Sequence, residues 1–169
     1  DTSLSAAPLL IIGAGLAGWT TVREFRKLDT NTPVVLVTAD SCDFYAKPTL
    51  SNAYAQKRTP AQLVTTPAAK MAETLNVTLL AHHQVQALDT VTHHVVVAHG
   101  GQTQALAYSR LVLATGAQPI RIPVGGTAAD QVKSINNLDD FGAFHQALGL
   151  DPSATEPAVP KTVLIMGAG

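Results

Sequence analysis

Three glycines and one acid carry the first chemistry legible in this chain. "LLIIGAGLAG" sets Gly13, Gly15 and Gly18 in G-x-G-x-x-G spacing after an apolar run, and "VVLVTAD" ends on Asp40, 22 residues beyond Gly18. In such a loop the first glycine permits a tight turn. The second lets a pyrophosphate approach the backbone, and the third lets helix and strand pack closely. Leu16, Ala17 and Gly18 open the helix that should follow. Free N–H groups at that end face a phosphate, and the helix dipole favours its charge. An acid about 20 residues further on suits ribose hydroxyls. A glycine-rich turn and a solvated aspartate would explain each feature singly. Strand before, helix after and acid at the right spacing together point to dinucleotide binding.

The pattern recurs. In "TVLIMGAG", Leu164, Ile165, Gly167 and Gly169 match Leu10, Ile11, Gly13 and Gly15. Two copies of one binding device are expected, the second cut short.

The elements around these loops read as follows. Leu9–Ile12 is a strand buried on both faces. A helix over Leu16–Leu28 turns Val22, Phe25 and Leu28 inward and Arg23, Arg26 and Lys27 outward. Residues 34–39 form the second strand, completing a right-handed β-α-β unit. Residues 41–60 are less regular, with a short helix over 50–56. A helix over 66–76 leads to a strand at Val77–Leu80. Three β-rich pieces, "QVQALD", "HHVVVAH" and "QTQALAY", then read as an antiparallel meander. "RLVLATGAQP" returns to a buried strand that ends in the turn Ala114, Thr115, Gly116. A helix within 134–149, a Pro/Ala/Ser linker over 150–161 and a closing strand at 163–166 complete the chain. The fold class is therefore α/β: a parallel sheet with an antiparallel meander, and the start of a second Rossmann unit.

Composition narrows the function. A hydrophobic content of 46% with 14% charged residues is globular, and a net charge of −1 suggests neither nucleic acid nor an anionic membrane as partner. No apolar stretch approaches the ~20 residues of a membrane span. The single cysteine, Cys42, cannot form an internal disulfide, which suggests a reducing, cytoplasmic setting. No G-x-S-x-G supports hydrolysis. His82-His83 and His93-His94 are adjacent pairs pointing to opposite faces of a strand, so no metal site is expected. Asp139 and Asp140 read as charge at a helix N-terminus.

A family resemblance rests on "LLIIGAGLAG", "REFRKLD", "TPVVLVTAD", "FYAKPTLS", "YSRLVLATGAQPIRIP", "INNLDDF" and "VLIMGAG", which cover nearly the whole chain. The chain is similar to the FAD-dependent pyridine-nucleotide reductases, which have two dinucleotide-binding domains. Its "REFRKLD" and "YAKP-x-LS" stretches are most like those of members that supply rubredoxin for alkane hydroxylases. The resemblance implies FAD as cofactor, NADH as donor, and rubredoxin or a related small iron–sulfur protein as acceptor; the alternative readings are a ferredoxin reductase serving an oxygenase system and a non-catalytic dinucleotide-binding module. It implies residues 1–123 as the first part of an FAD-binding domain. Residues 124–169 would be a connection and the truncated start of an NAD(P)H-binding domain, with Gly167 and Gly169 in its loop. Such a portion is expected not to turn over alone.

By the same resemblance Lys47-Pro48 lies beside the pyrophosphate or flavin, and Val85 offers its backbone to the adenine. Ala114, Thr115 and Gly116 form the close backbone turn. No catalytic side chain is assigned. Two departures stand out: Asn52 replaces the lysine of ferredoxin-type relatives, and Ser109 replaces a usual aspartate. Disulfide-reducing relatives carry a cysteine pair after the second strand. Here "TLSNAY" has none, so transfer without a thiol relay is expected.

Overall fold

The strongest apolar runs of the sequence become a parallel sheet. The computed structural model describes residues 7–167. In chain order they form β1 (Leu9–Ile12), α1 (Leu16–Leu28), β2 (Val34–Val37), β3 (Phe44–Tyr45), a 3-10 helix (Lys47–Asn52), α2 (Pro60–Leu63) and β4 (Val64–Thr66). There follow α3 (Ala68–Leu75), β5 (Val77–Leu80), β6 (Gln84–Asp89), β7 (His94–His99), β8 (Gln102–Ala107), β9 (Arg110–Leu113), a 3-10 turn (Ala129–Gln131) and α4 (Leu138–Ala147). The described residues fall into two compact units, 7–45 with Val64–Ala117 and Ala46–Leu63 with 118–167.

In the first unit the sheet order is β5-β2-β1-β9, parallel throughout, with Leu9 opposite Val34 and Arg110. Alternate residues of β1 serve different layers. Leu9 and Ile11 pack with Trp19 and Val22 of α1 and with partly buried Met71, Ala72 and Leu75 of α3. Leu10 and Ile12 pack with Val95 and Val97 of the meander and with Tyr108. Two covered faces explain the unbroken apolar run, since each such side chain contributes roughly 1.5–3 kcal/mol on burial. The meander β6-β7-β8 is antiparallel, as its alternating sequence requires.

Several expectations need correction. Arg26 is buried, not outward, whereas Leu28 is 89% exposed. The covered stripe of α1 is Trp19, Val22 and Arg26, spaced i, i+3, i+7. Arg26 is tolerated there because it donates to four carbonyls: Leu75 at 2.6 Å, Asn76 at 2.7 Å, Thr32 at 2.8 Å and Asp29 at 3.1 Å. Strand β9 is only partly covered because it edges the sheet, with Leu113 61% exposed. β3 and β4 form a two-stranded antiparallel pair whose strands are too short to show a period in the sequence. The expected helix at 50–56 is a 3-10 helix at Lys47–Asn52 with Pro48 in its first turn. The helix over 66–76 starts later, at Ala68, with Pro67 as its cap. Residues 163–166 form no strand. They pair with no other segment among the described residues and their apolar side chains are exposed, and a strand without a partner leaves its backbone donors unmet.

The second unit has a small core of Ala53, Leu63 and Phe141, with Leu50, Tyr54 and Leu138 against it. Helix α4 begins with a capping box in which Asn137 accepts from the Asp140 N–H and Asp140 accepts from the Asn137 N–H. Asp140 therefore serves the helix end. His145 is fully buried; its Nε2 faces the Asp151 carbonyl at 3.0 Å and its Nδ1 the Tyr54 hydroxyl at 3.3 Å.

Candidate dinucleotide-binding site

The carboxyl ends of β1, β2, β5 and β9 lie along one edge of the sheet. From β1 the chain builds outward to β2 and β5, then returns to place β9 on the other side of β1. Strand order reverses between β1 and β9, and ligands of such sheets bind in the crevice outside that point.

The glycine loop sits there. The Gly13 N–H donates to the Val37 carbonyl at 2.8 Å, and the Ala114 N–H to the Ile12 carbonyl at 2.7 Å. Gly13 has φ +109, a conformation L side chains rarely adopt. A Cβ on Gly13 would overlap the Ala114 carbonyl, and one on Gly18 would overlap the Gly13 carbonyl. One on Gly15 would meet nothing within 4 Å. The first glycine thus does more than turn the chain: it lets the end of β9 close against the loop. The third admits α1 to the loop backbone, and the second faces open space.

Gly15 is also the N-cap of α1. No side chain caps this helix and no acid lies in its first turn. Leu16 and Ala17 are exposed beside it. Unmet N–H groups, a positive dipole end and an open glycine fit an anionic diphosphate. Thr115 and Gly116 are exposed in the turn after β9, Gly116 with φ +68.

Asp40 lies on the loop after β2. Its Oδ1 accepts from the Thr38 hydroxyl at 2.9 Å and the Cys42 N–H at 3.1 Å, and its Oδ2 has no protein partner among the described residues. One carboxylate oxygen holds the loop while the other is available to a ligand. Beside it, Ala39, His82, Gln84, Ala98, His99, Gly100 and Gly101 line an open cleft of about 310 Å³. His83 and His99 stack with ring centroids 4.4 Å apart. Each directs Nδ1–H at a carbonyl, Ala81 and His82 respectively. Thr38 and this cleft escaped sequence reasoning; only the Gly100-Gly101 turn hinted at the hairpin end that completes the cleft.

The remaining candidates lie on other elements. Val85 is paired with Val97 in the meander and packs into the core, so only its backbone remains for a ligand. Lys47 and Pro48 are exposed at the start of the 3-10 helix in the second unit. Gly167 is exposed with φ +95, and Gly169 lies outside the described residues.

Cys42 is fully buried, and burial, then the charges of Asp40 and Asp43, push its thiol from 9.0 up to about 12. A protonated, enclosed thiol is a poor nucleophile. Above pH 9 the unfolded chain loses this proton while the folded chain keeps it, so stability falls as pH rises from about 9 towards 12. The limiting slope is about 1.4 kcal/mol per pH unit. Urea titrations at successive pH values should show that slope flatten in Cys42→Ser; an unchanged slope would contradict the assignment.

A family model described as pyridine nucleotide-disulphide oxidoreductase matches residues 7–169. The rubredoxin-NAD(+) reductase of Acinetobacter baylyi is 39% identical over 96% of this chain and 39% of its own length. The nitric oxide reductase FlRd-NAD(+) reductase of Vibrio vulnificus is 38% identical over the same shares. Among solved structures, the reductase in a covalent putidaredoxin reductase–putidaredoxin complex superimposes with TM-score 0.70 at 29% identity, over 84% of this chain and 34% of that one. The chain thus spans about 39% of the length of these curated relatives. With a glycine loop closed by β9 at the point where strand order reverses, and a family match over nearly all its residues, the chain belongs to the pyridine nucleotide-disulphide oxidoreductases.

Proposed function

We propose that the whole protein is an NADH-dependent flavoprotein reductase of the rubredoxin reductase type, and that this chain carries the adenosine-diphosphate end of its FAD site. The observation that carries the reading is the contact of Gly13 with Ala114 beside an open Gly15. It joins the two stretches expected to meet a cofactor. Gly15 and the N–H groups of Leu16, Ala17 and Gly18 hold the pyrophosphate. Asp40 receives the ribose hydroxyls, and the Val85 backbone the adenine edge. Ala114, Thr115 and Gly116 give a close backbone wall, and Lys47 beside Pro48 adds positive charge near the phosphates or flavin. When bound, FAD supplies the redox chemistry between a hydride donor and a one-electron acceptor.

Residues 1–123 are read as the first part of the FAD-binding domain, and 124–169 as the connection and the start of an NAD(P)H-binding domain through Gly167 and Gly169. Rubredoxin is the proposed acceptor, supported by the Acinetobacter relative, and alkane hydroxylation in the cytoplasm the proposed setting. The Vibrio relative favours a second reading, in which the acceptor is the FlRd protein its name denotes. Among the described residues no helix is long and apolar enough to cross a membrane.

The test is an FAD titration of the folded chain followed by flavin fluorescence, with NADH as competitor. Saturable quenching that resists NADH is expected. Binding of NADH alone, or no FAD binding by a chain folded by circular dichroism, would sink the assignment of the first loop as this chain's FAD site.

A further inference from the structure

Asp40 does not stand free on its loop. Two residues on, Cys42 has a left-handed backbone, φ +65. A non-glycine residue keeps such a shape only where its surroundings impose it. Two hydrogen bonds impose it here. The Cys42 N–H donates to Asp40 Oδ1 at 3.1 Å, and the Cys42 carbonyl accepts from the indole N–H of Trp19 at 2.9 Å. Trp19 follows Gly18 directly in α1 and is fully buried among Leu9, Ile11, Val22 and Leu36. Its N–H is a buried donor whose loss of partner would be costly, so the bond is stable. The helix that offers its N-terminus to the diphosphate therefore also grips, through one side chain, the loop that carries the acid.

We propose that Trp19 is a positioning residue for ribose recognition. Through the Cys42 carbonyl it fixes where Asp40 presents Oδ2 relative to the glycine loop. The inference rests on the reading of Asp40 as the ribose ligand, and the experiment separates the two. Affinities of the 169-residue chain for ADP and for 2′,3′-dideoxy-ADP are measured by calorimetry. Wild type should prefer ADP by about tenfold. Asp40→Ala should abolish the preference. Trp19→Phe should reduce it towards none while leaving the affinity for dideoxy-ADP unchanged, a pattern that general loosening of the core would not give.

Trp19 is the only tryptophan. Should Trp19→Phe fail to fold, chain-wide replacement by 3-benzothienylalanine removes the N–H and keeps the ring shape. A preference lost in Asp40→Ala but kept in the Trp19 variants overturns this inference alone. A wild-type chain that binds neither nucleotide or does not discriminate, or a preference that survives Asp40→Ala, overturns the ribose assignment and this inference with it.

Discussion

Gly15→Ala is expected to leave the fold intact and remove most of the FAD affinity, whereas Gly13→Ala and Gly18→Ala are expected to destabilise the chain itself. The three glycines differ in what a methyl group would meet. At Gly15 the backbone is extended, φ −75 and ψ −166, and the space beyond is open. Alanine fits there at the cost of a poorer N-cap, about 0.5 kcal/mol. At the proposed site its methyl group then occupies the approach of the pyrophosphate, which should weaken binding by ten- to hundredfold, or about 1.4–2.8 kcal/mol. At Gly13 the methyl group meets the Ala114 carbonyl and at Gly18 the Gly13 carbonyl. Backbone cannot step aside as a side chain can. Gly13 adds the strain of φ +109, so a loss of more than about 3 kcal/mol is expected there. Urea denaturation and FAD titration of all three variants check this. A Gly13→Ala chain as stable as wild type would show that the loop and β9 are not in close contact.

The second large effect is expected at the opposite edge of the sheet. Arg26→Leu should cost on the order of 3 kcal/mol, measured as a lower urea midpoint. The guanidinium ties the end of α1 to the carbonyls of Asp29 and Thr32 before β2 and to those of Leu75 and Asn76 before β5. Removing it strands several carbonyl groups at once. Lysine should restore little, because a single ammonium cannot span acceptors from both segments as a planar fork does. If Arg26→Lys matches wild type, the bonds are replaceable by one charge and this account fails. Asp29 is held below the usual carboxylate range, first by its bonds to the Thr32 hydroxyl and N–H and with a contribution from Arg26.

Much of this arrangement could be read from residue order alone. A four-residue apolar run such as "LLII" admits few fates, and the sheet took the runs that were long, apolar and spaced by helix or meander. Gly13 and Gly18 were legible because close backbone approach admits no side chain there, and Asp40 because an acid ends the second apolar run at a fixed spacing from them. Arg26 was not. Its burial depends on carbonyls about 50 residues away, and a charged side chain on a helix ordinarily points to water. The role of Trp19 was not legible either, because one aromatic after a glycine loop shows no period. Residues 163–166 show the reverse failure: an apolar run specifies a strand only where a neighbouring strand receives it.

The pairing of β1 with β9 also bears on how the chain is made. Leu9–Ile12 leaves the ribosome about 100 residues ahead of its partner Arg110–Leu113 and of the Ala114 carbonyl that Gly13 accommodates. At roughly 5–20 residues per second, one edge of β1 stays unpaired for several seconds to tens of seconds of synthesis. Until then the nascent chain has helix α1 and its glycines but no finished cradle. At the proposed site cofactor loading follows elongation through β9, and a pause in translation before that strand lengthens the interval in which a bare apolar edge is open to other chains.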